Sequence, residues 1–247
     1  MNKVYTSMKS TDGFGAQYQR VIQTYIFCKI NNLPFVYSPL DSIEHNYNND
    51  ITYNQRLEDL MNLDKHILNW DRTMNAERFD YGSIVMPFFE KNIDKCCNSE
   101  HMQFIKDCYW KNKTKNYFNN DKINVAIHIR RENLCDNGQA GARATTPNSY
   151  YLNIMNTIRN KYKHSGKEVL FHIYSQGLIG QFLDLNGADV KFYLNYDIVE
   201  TFKGLASAEI LVISPSSLSY VAALISDGEI HYKRFWHNPK QTWIKYD

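Results

Sequence analysis

From Asp121 onward, short apolar runs alternate with longer amphipathic ones, and this alternation limits the fold more than any other feature of the chain. INVAIHI, EVLFHIYS, VKFYL, EILVIS and EIHY read as strands. Between them TTPNSYYLNIMNTIRNKYK, LIGQFLDLNG, DIVETFKGLASA and SSLSYVAALISDG read as helices. The first of these helices is expected to take Thr146 as N-cap with Pro147 at its first position, and the last to be closed by Gly228. Strands that alternate with helices imply an α/β fold with a parallel sheet covered on both faces.

The N-terminal part begins in the same way. KVYT reads as a strand, STDGFGAQ as a glycine loop, YQRVIQTYIFCKINN as a helix and LPFVYSP as a buried strand ended by Pro39, which together make one βαβ unit. In the stretch that follows, LEDLMNLDKHILNW and EHMQFIKDCYW look helical and GSIVMPFF strand-like. The polar segment NKTKNYFNNDK reads as a linker. The expected division is therefore 1–118, an N-terminal α/β lobe, and 119–247, a Rossmann-like lobe.

A net charge of +2 gives no general pull toward nucleic acid, so any anion site has to be local. Five cysteines, an odd number with no CxxC spacing, argue against both a disulfide framework and a zinc site. MNKVYTSMKS has no apolar signal core and no run approaches transmembrane length, so the expectation is a soluble cytoplasmic protein. There is no GxSxG, P-loop, HExxH or EF-hand pattern, and the lysine-rich KNKTKN reads as a solvated loop.

What stands out chemically is VAIHIRREN. In an extended strand His128 and Arg130 share a face and Arg131 takes the other. They fall at the carboxyl end of a parallel strand, where open α/β sheets place their ligands. Arginine offers a permanently charged planar fork suited to phosphate. The alternative employment is an internal ion network with Glu132, Asp136 or Glu209. A second cluster, Ser214, Ser216 and Ser217, lies between a strand end and a helix start, where backbone N–H groups and hydroxyls can cradle phosphate or simply cap the helix.

Gly13 and Gly15 permit a tight turn before the first helix, although Tyr18 occupies the third position of a dinucleotide fingerprint. With Asp41 after the second strand, an NAD-dependent oxidoreductase is one reading of this loop, but it leaves the arginine pair unexplained. Glu44 and His45, in a polar loop, are candidate general bases. Arg143 is a candidate third cation. His172, central in a strand, reads as a satisfied core histidine, and His231 and His237 make no metal set. The ending RFWHNPKQTWIKY is expected to dock Phe235, Trp236 and Trp243 onto the fold.

Three of these motifs together resemble one family. His128-Ile-Arg130-Arg131-Glu-Asn133 looks like the HxRRxD motif of α1,2-, α1,6- and protein O-fucosyltransferases, GFGAQYQ resembles their N-terminal glycine loop, and ISPSSLSYVAAL resembles their serine-rich motif. The resemblance implies a GT-B-like pair of Rossmann-type lobes with parallel sheets and a cleft between them. It also implies an inverting, metal-independent transfer of a sugar, usually fucose from GDP-fucose, to a glycan hydroxyl, with no cofactor beyond the nucleotide-sugar donor. By this likeness Arg130 holds the donor's β-phosphate, His128 lies beside the diphosphate, Ser216 or Ser217 bonds phosphate oxygens, and Gly13 and Gly15 let the other lobe close. Arg131 joins the donor site on its charge and position alone. The chain departs from the pattern at Asn133, where the motif ends in Asp, and at Gln176, where relatives often carry a carboxylate for guanine. Gln176 cannot accept from both N1–H and N2–H, so a binding protein of the same fold without turnover is the alternative.

Overall fold

In the computed structural model, residues 3–132 and 145–246 are described. The chain divides into two compact units, Met1–Thr114 with His237–Gln241, and Lys115–Trp236 with Thr242–Asp247. The division thus falls inside the polar NKTKNYFNNDK stretch, ahead of the expected boundary at 118, and a short C-terminal segment joins the first unit.

The second unit is built on a six-stranded, wholly parallel sheet in the order β5-β4-β3-β6-β7-β8. Its strands are β3 (Ile123–Ile129), β4 (Val169–Ser175), β5 (Val190–Leu194), β6 (Ile210–Val212), β7 (Glu229–Lys233) and β8 (Ile244–Tyr246). Helix α6 (Asn148–Tyr162) supplies Ile154, Met155 and Ile158 to the core that Val125, Ile127 and Ile129 form with Phe171 and Ile173. Helix α7 (Ile198–Ser207) begins at Asp197, whose carboxylate accepts from the Val199 and Glu200 N–H groups. Helix α8 (Ser217–Ile225) follows β6.

Two sequence expectations change here. Pro147 is the N-cap of α6, because the Thr146 carbonyl is engaged by Arg131 and Thr146 stays outside the helix. Gly228 lies beyond the α8 cap at Ser226, and a side chain there would meet the Glu209 carbonyl oxygen at 2.8 Å. Strand β8 had no forecast. Phe235 and Trp243 pack as edges on Tyr220, whereas Trp236 is 48% exposed.

In the first unit β1 (Val4–Thr6) pairs in parallel with β2 (Ala76–Arg78) and is bridged on its other side at Phe35. LPFVYSP is extended but is not a continuous strand: its bonding passes from Tyr5 at Phe35 to Asn69 at Tyr37. Helix α1 (Phe14–Ile30) starts earlier than expected, so Gly15 belongs to its first turn and only Gly13 remains outside, as N-cap. Helix α2 (Tyr53–Met61) stops where Asn62 turns left-handed at φ 61, cutting short the expected helix through Trp70. GSIVMPFF is helical rather than a strand: a π-turn over Tyr81–Val85, capped by the Asp80 side chain on the Ser83 N–H, runs into α3 (Met86–Lys91) with Pro87 in its first turn. Two further helices, α4 (Ile93–Cys97) and α5 (Glu100–Trp110), complete the unit. Among the described residues no helix is long and apolar enough to cross a membrane.

Candidate functional site

The sequence-derived site residues fall in both units. His128, Arg130, Arg131, Gln176, Ser214, Ser216 and Ser217 belong to the second, and Gly13, Gly15, Glu44 and His45 to the first. Asn133 and Arg143 lie outside the described residues.

In the second unit the carboxyl ends of three adjacent strands, β6, β3 and β4, meet. His128, the penultimate residue of β3, is buried and shares a 2.8 Å hydrogen bond between Nδ1 and the Ser214 hydroxyl, just past β6. Burial, aided by the Arg130 charge, pushes this imidazole down to about 3, so it is neutral at physiological pH. Ser214 is therefore spent on His128 and on Ser216 and Ser219, whose N–H and hydroxyl its carbonyl accepts. Beyond the strand end Arg130 donates to Gln176 Oε1 at 3.2 Å and to the Arg131 carbonyl at 2.5 Å.

Arg131, also beyond the strand end, turns toward the start of α6. Its fork donates to the Thr146 carbonyl at 3.0 Å and to Asn148 Oδ1 at 2.5 Å, and its guanidinium lies 5.6 Å from the Phe182 ring centroid. Asn148 in turn donates to Asp184, so Arg131 braces the start of α6. Of the carboxylates weighed as internal partners, Glu209 is at the opposite end of the sheet, accepting from the Asn124 N–H. Among the described residues Glu132 makes no ion pair, and Asp136 lies outside them.

Ser216 is the N-cap of α8, yet its hydroxyl does not cap the helix. Among the described residues the Ser216 and Ser217 hydroxyls have no hydrogen-bond partner. The first turn of α8 thus presents uncapped N–H groups and two available hydroxyls, an arrangement that favours an anion. His172 is satisfied within the sheet, with Nε2 3.0 Å from Asn124 Oδ1 and Nδ1 3.3 Å from the Tyr193 hydroxyl.

In the first unit Gly13 is bridged to exposed Glu44, whose N–H donates to the Asp12 carbonyl at 3.4 Å. His45, in the left-handed region at φ 73, lays its ring over Gly13 and holds the Tyr47 hydroxyl through Nδ1 at 2.6 Å. A Cβ on Gly13 would stand 2.8 Å from His45 Cδ2 and 3.1 Å from Nε2. Glycine is needed here to make room for the imidazole, which covers the backbone that a dinucleotide pyrophosphate would have to approach. Gly13→Ala should therefore displace the ring, which changed His45 side-chain NMR shifts would record; unchanged shifts would contradict this packing.

Tyr18, at the third fingerprint position, is fully buried, and Asp41 is ion-paired with Lys9. Tyr18 and Tyr37 donate to buried Glu58 at 2.9 and 2.5 Å, and the Leu40 N–H donates at 2.8 Å. Burial nonetheless holds this carboxyl above its usual range. Sequence reading passed over Glu58, whose acidic side chain in an amphipathic helix looks solvent-facing. His237 also joins a buried network, between Gln19 and Glu90.

No protein-family model matches the chain, and no curated protein does. Among solved structures, a crystal structure of the fucosyltransferase NodZ from Bradyrhizobium is similar to it at 11% identity, over 92% of this chain and 93% of that one, with a TM-score of 0.43.

Proposed function

We propose that this chain is an inverting, metal-independent glycosyltransferase that moves a sugar, most simply fucose from GDP-fucose, to a glycan hydroxyl. The observation that carries this reading is the placement of Arg130 and Gln176 beside each other beyond the ends of two parallel strands, above the neutral His128–Ser214 pair. A diphosphate bound there would meet one guanidinium and, at the α8 start after the neighbouring strand β6, free N–H groups and the Ser216 and Ser217 hydroxyls. These groups stabilise the negative charge that grows on the nucleoside diphosphate as the glycosidic bond breaks. They do so without a metal. His128, kept neutral, adds no charge and fixes the strand end under Arg130, while Arg131 positions the segment through α6.

In an inverting single displacement the acceptor oxygen attacks as the nucleoside diphosphate departs, and a base takes the hydroxyl proton. His45 and Glu44 are the groups assigned to that step. The resemblance of three motifs, in order, to fucosyltransferases supports the same reading and names the donor.

Calorimetric titration with GDP, GDP-fucose and UDP tests it. Arg130→Ala should weaken GDP binding at least tenfold, since a hydrogen bond to a charged group contributes about 1.5–3 kcal/mol. Equal affinity in the variant and the parent removes the role given to Arg130. Binding of GDP-fucose with no donor consumption across a broad acceptor panel would mark a binding protein instead. Gln176 in place of a carboxylate is the feature that favours that second outcome.

A further inference from the structure

The first unit contains a cavity of about 230 Å³ that none of the assignments above uses. It opens at the carboxyl ends of β1 and of the extended segment 35–38, between the loops Ser7–Thr11 and Ser38–Ser42. Gln17, from the first turns of α1, ties the two loops together by donating to the Asp12 and Ser42 carbonyls at 2.6 and 2.7 Å.

The lining has an unusual polar character. Ser7, Gln17 and Ser38 are only 4%, 3% and 3% exposed, so the little surface they keep lies at the cavity. Among the described residues the Ser7 and Ser38 hydroxyls and Gln17 Oε1 have no hydrogen-bond partner, and all three residues border the cavity. Lys9 and Asp41 face each other across the rim as an ion pair. Met8, Pro39 and Leu40 supply apolar surface, and no aromatic ring lines the space.

We infer that this cavity is the seat of one uncharged sugar ring, the residue of the acceptor glycan that carries or neighbours the reacting hydroxyl. The identification as acceptor rests on the transferase reading; the affinity for a neutral sugar does not. Each hydroxyl of a sugar both donates and accepts, and the lining offers two serine hydroxyls that do both, an amide oxygen that accepts, an ammonium that donates and a carboxylate that accepts. Met8 and Leu40 suit the C–H face of the ring. A phosphate or carboxylate ligand is disfavoured, because Asp41 already neutralises Lys9 at the rim and adds a negative charge of its own there. A nucleobase would find nothing to stack on. The volume lies below the roughly 300–1,000 Å³ of sites for larger ligands and fits a single ring.

The test is a titration of the whole chain with methyl β-D-galactopyranoside, methyl β-D-glucopyranoside and glucuronate, followed by backbone amide NMR. A neutral glycoside should shift the signals of residues 7–11 and 38–42 with a dissociation constant on the order of 1 mM. Glucuronate should bind at least tenfold more weakly. Ser38→Leu fills the space and should abolish the shifts while GDP affinity stays at the parent value. Should that variant not fold, Asp41→Asn serves, since its side chain lies at the rim and is 68% exposed. Freed of its partner, Lys9 should then let glucuronate bind at least as well as the neutral glycosides.

Shifts confined to other residues, or equal binding of glucuronate to the parent, overturn the inference. GDP binding with no glycoside response in these loops leaves the transferase reading standing and removes the sugar seat. Glycoside binding without GDP binding does the reverse.

Discussion

Exchanging Gly204 for alanine should lower the stability of the fold by about 1–3 kcal/mol, the usual cost of forcing extra volume into a packed interior. Helix propensity alone predicts the opposite sign, since alanine is favoured over glycine in a helix by roughly 0.8–1 kcal/mol. The reversal comes from Tyr174. Its side chain, on β4, leans on α7 at the one position without a Cβ: an alanine Cβ would stand 2.6 Å from the ring Cζ and 3.3 Å from Cε1, with the hydroxyl oxygen nearer still. The ring has little room to retreat, because it is 1% exposed and stacked on Tyr193 with centroids 4.8 Å apart. Urea denaturation measures the effect. In a Tyr174→Leu background the penalty should vanish and alanine should become neutral or stabilising, so the two sites should couple strongly in a double-mutant cycle. A Gly204→Ala protein as stable as the parent would show that the phenol does not occupy that place.

The same packing shows where the sequence was readable and where it was not. Strands β3 to β7 could be traced because each is a short apolar run bounded by a loop or a capping residue, with Asp197 before α7 the clearest example. Strand β8 could not, since Ile244 and Lys245 are exposed and a three-residue edge strand has no periodicity to detect. GSIVMPFF misled because a short apolar run fits a helix as well as a strand, and the Asp80 cap that decides between them is a single side chain. In the candidate site β3 ends at Ile129, so period-two alternation reaches His128 but neither arginine. It cannot say that Arg131 is engaged with Thr146 and Asn148, fifteen and seventeen residues further on. Glu209 looked available to the arginines until parallel register placed it at the other end of the sheet. The cavity residues Ser7, Gln17 and Ser38 have no local signal at all. Their polar atoms become informative only when folding gathers them, without a protein partner, around one cavity.

Acidifying the protein from pH 6.5 to 4.5 should destabilise it, with His128 and His172 the main sources. The unfolded chain carries this imidazole at its ordinary value near 6.5. In the folded state burial, with the Arg130 charge, holds it at about 3. Below pH 6.5 the unfolded state therefore binds a proton that the native state refuses, and the free energy of unfolding falls as pH falls, until about pH 3. Once the unfolded imidazole is mostly charged, each pH unit costs about 1.4 kcal/mol per such group. His172, held at about 4 by burial and then by Lys191, acts in the same direction, as does His231, which burial lowers against the pull of Glu229. Glu58 acts oppositely: its raised carboxyl retains a proton that the unfolded chain gives up, so its contribution is lost as pH rises. Carboxylates held low, such as Asp189 beside Arg159, withdraw their stabilisation only once pH drops below about 4. Glutamates such as Glu229, held below 4.5, begin to contribute at the lower edge of the window, so the histidine share is read from the difference between parent and variant. Denaturation curves of parent and His128→Asn across this window decide the matter, because asparagine can still hydrogen-bond Ser214 but cannot take up the proton. Its slope should be smaller by nearly one proton, whatever its absolute stability. An unchanged slope would mean that the imidazole is charged in the native state, and a cation beneath Arg130 would alter the whole electrostatic account of that strand end.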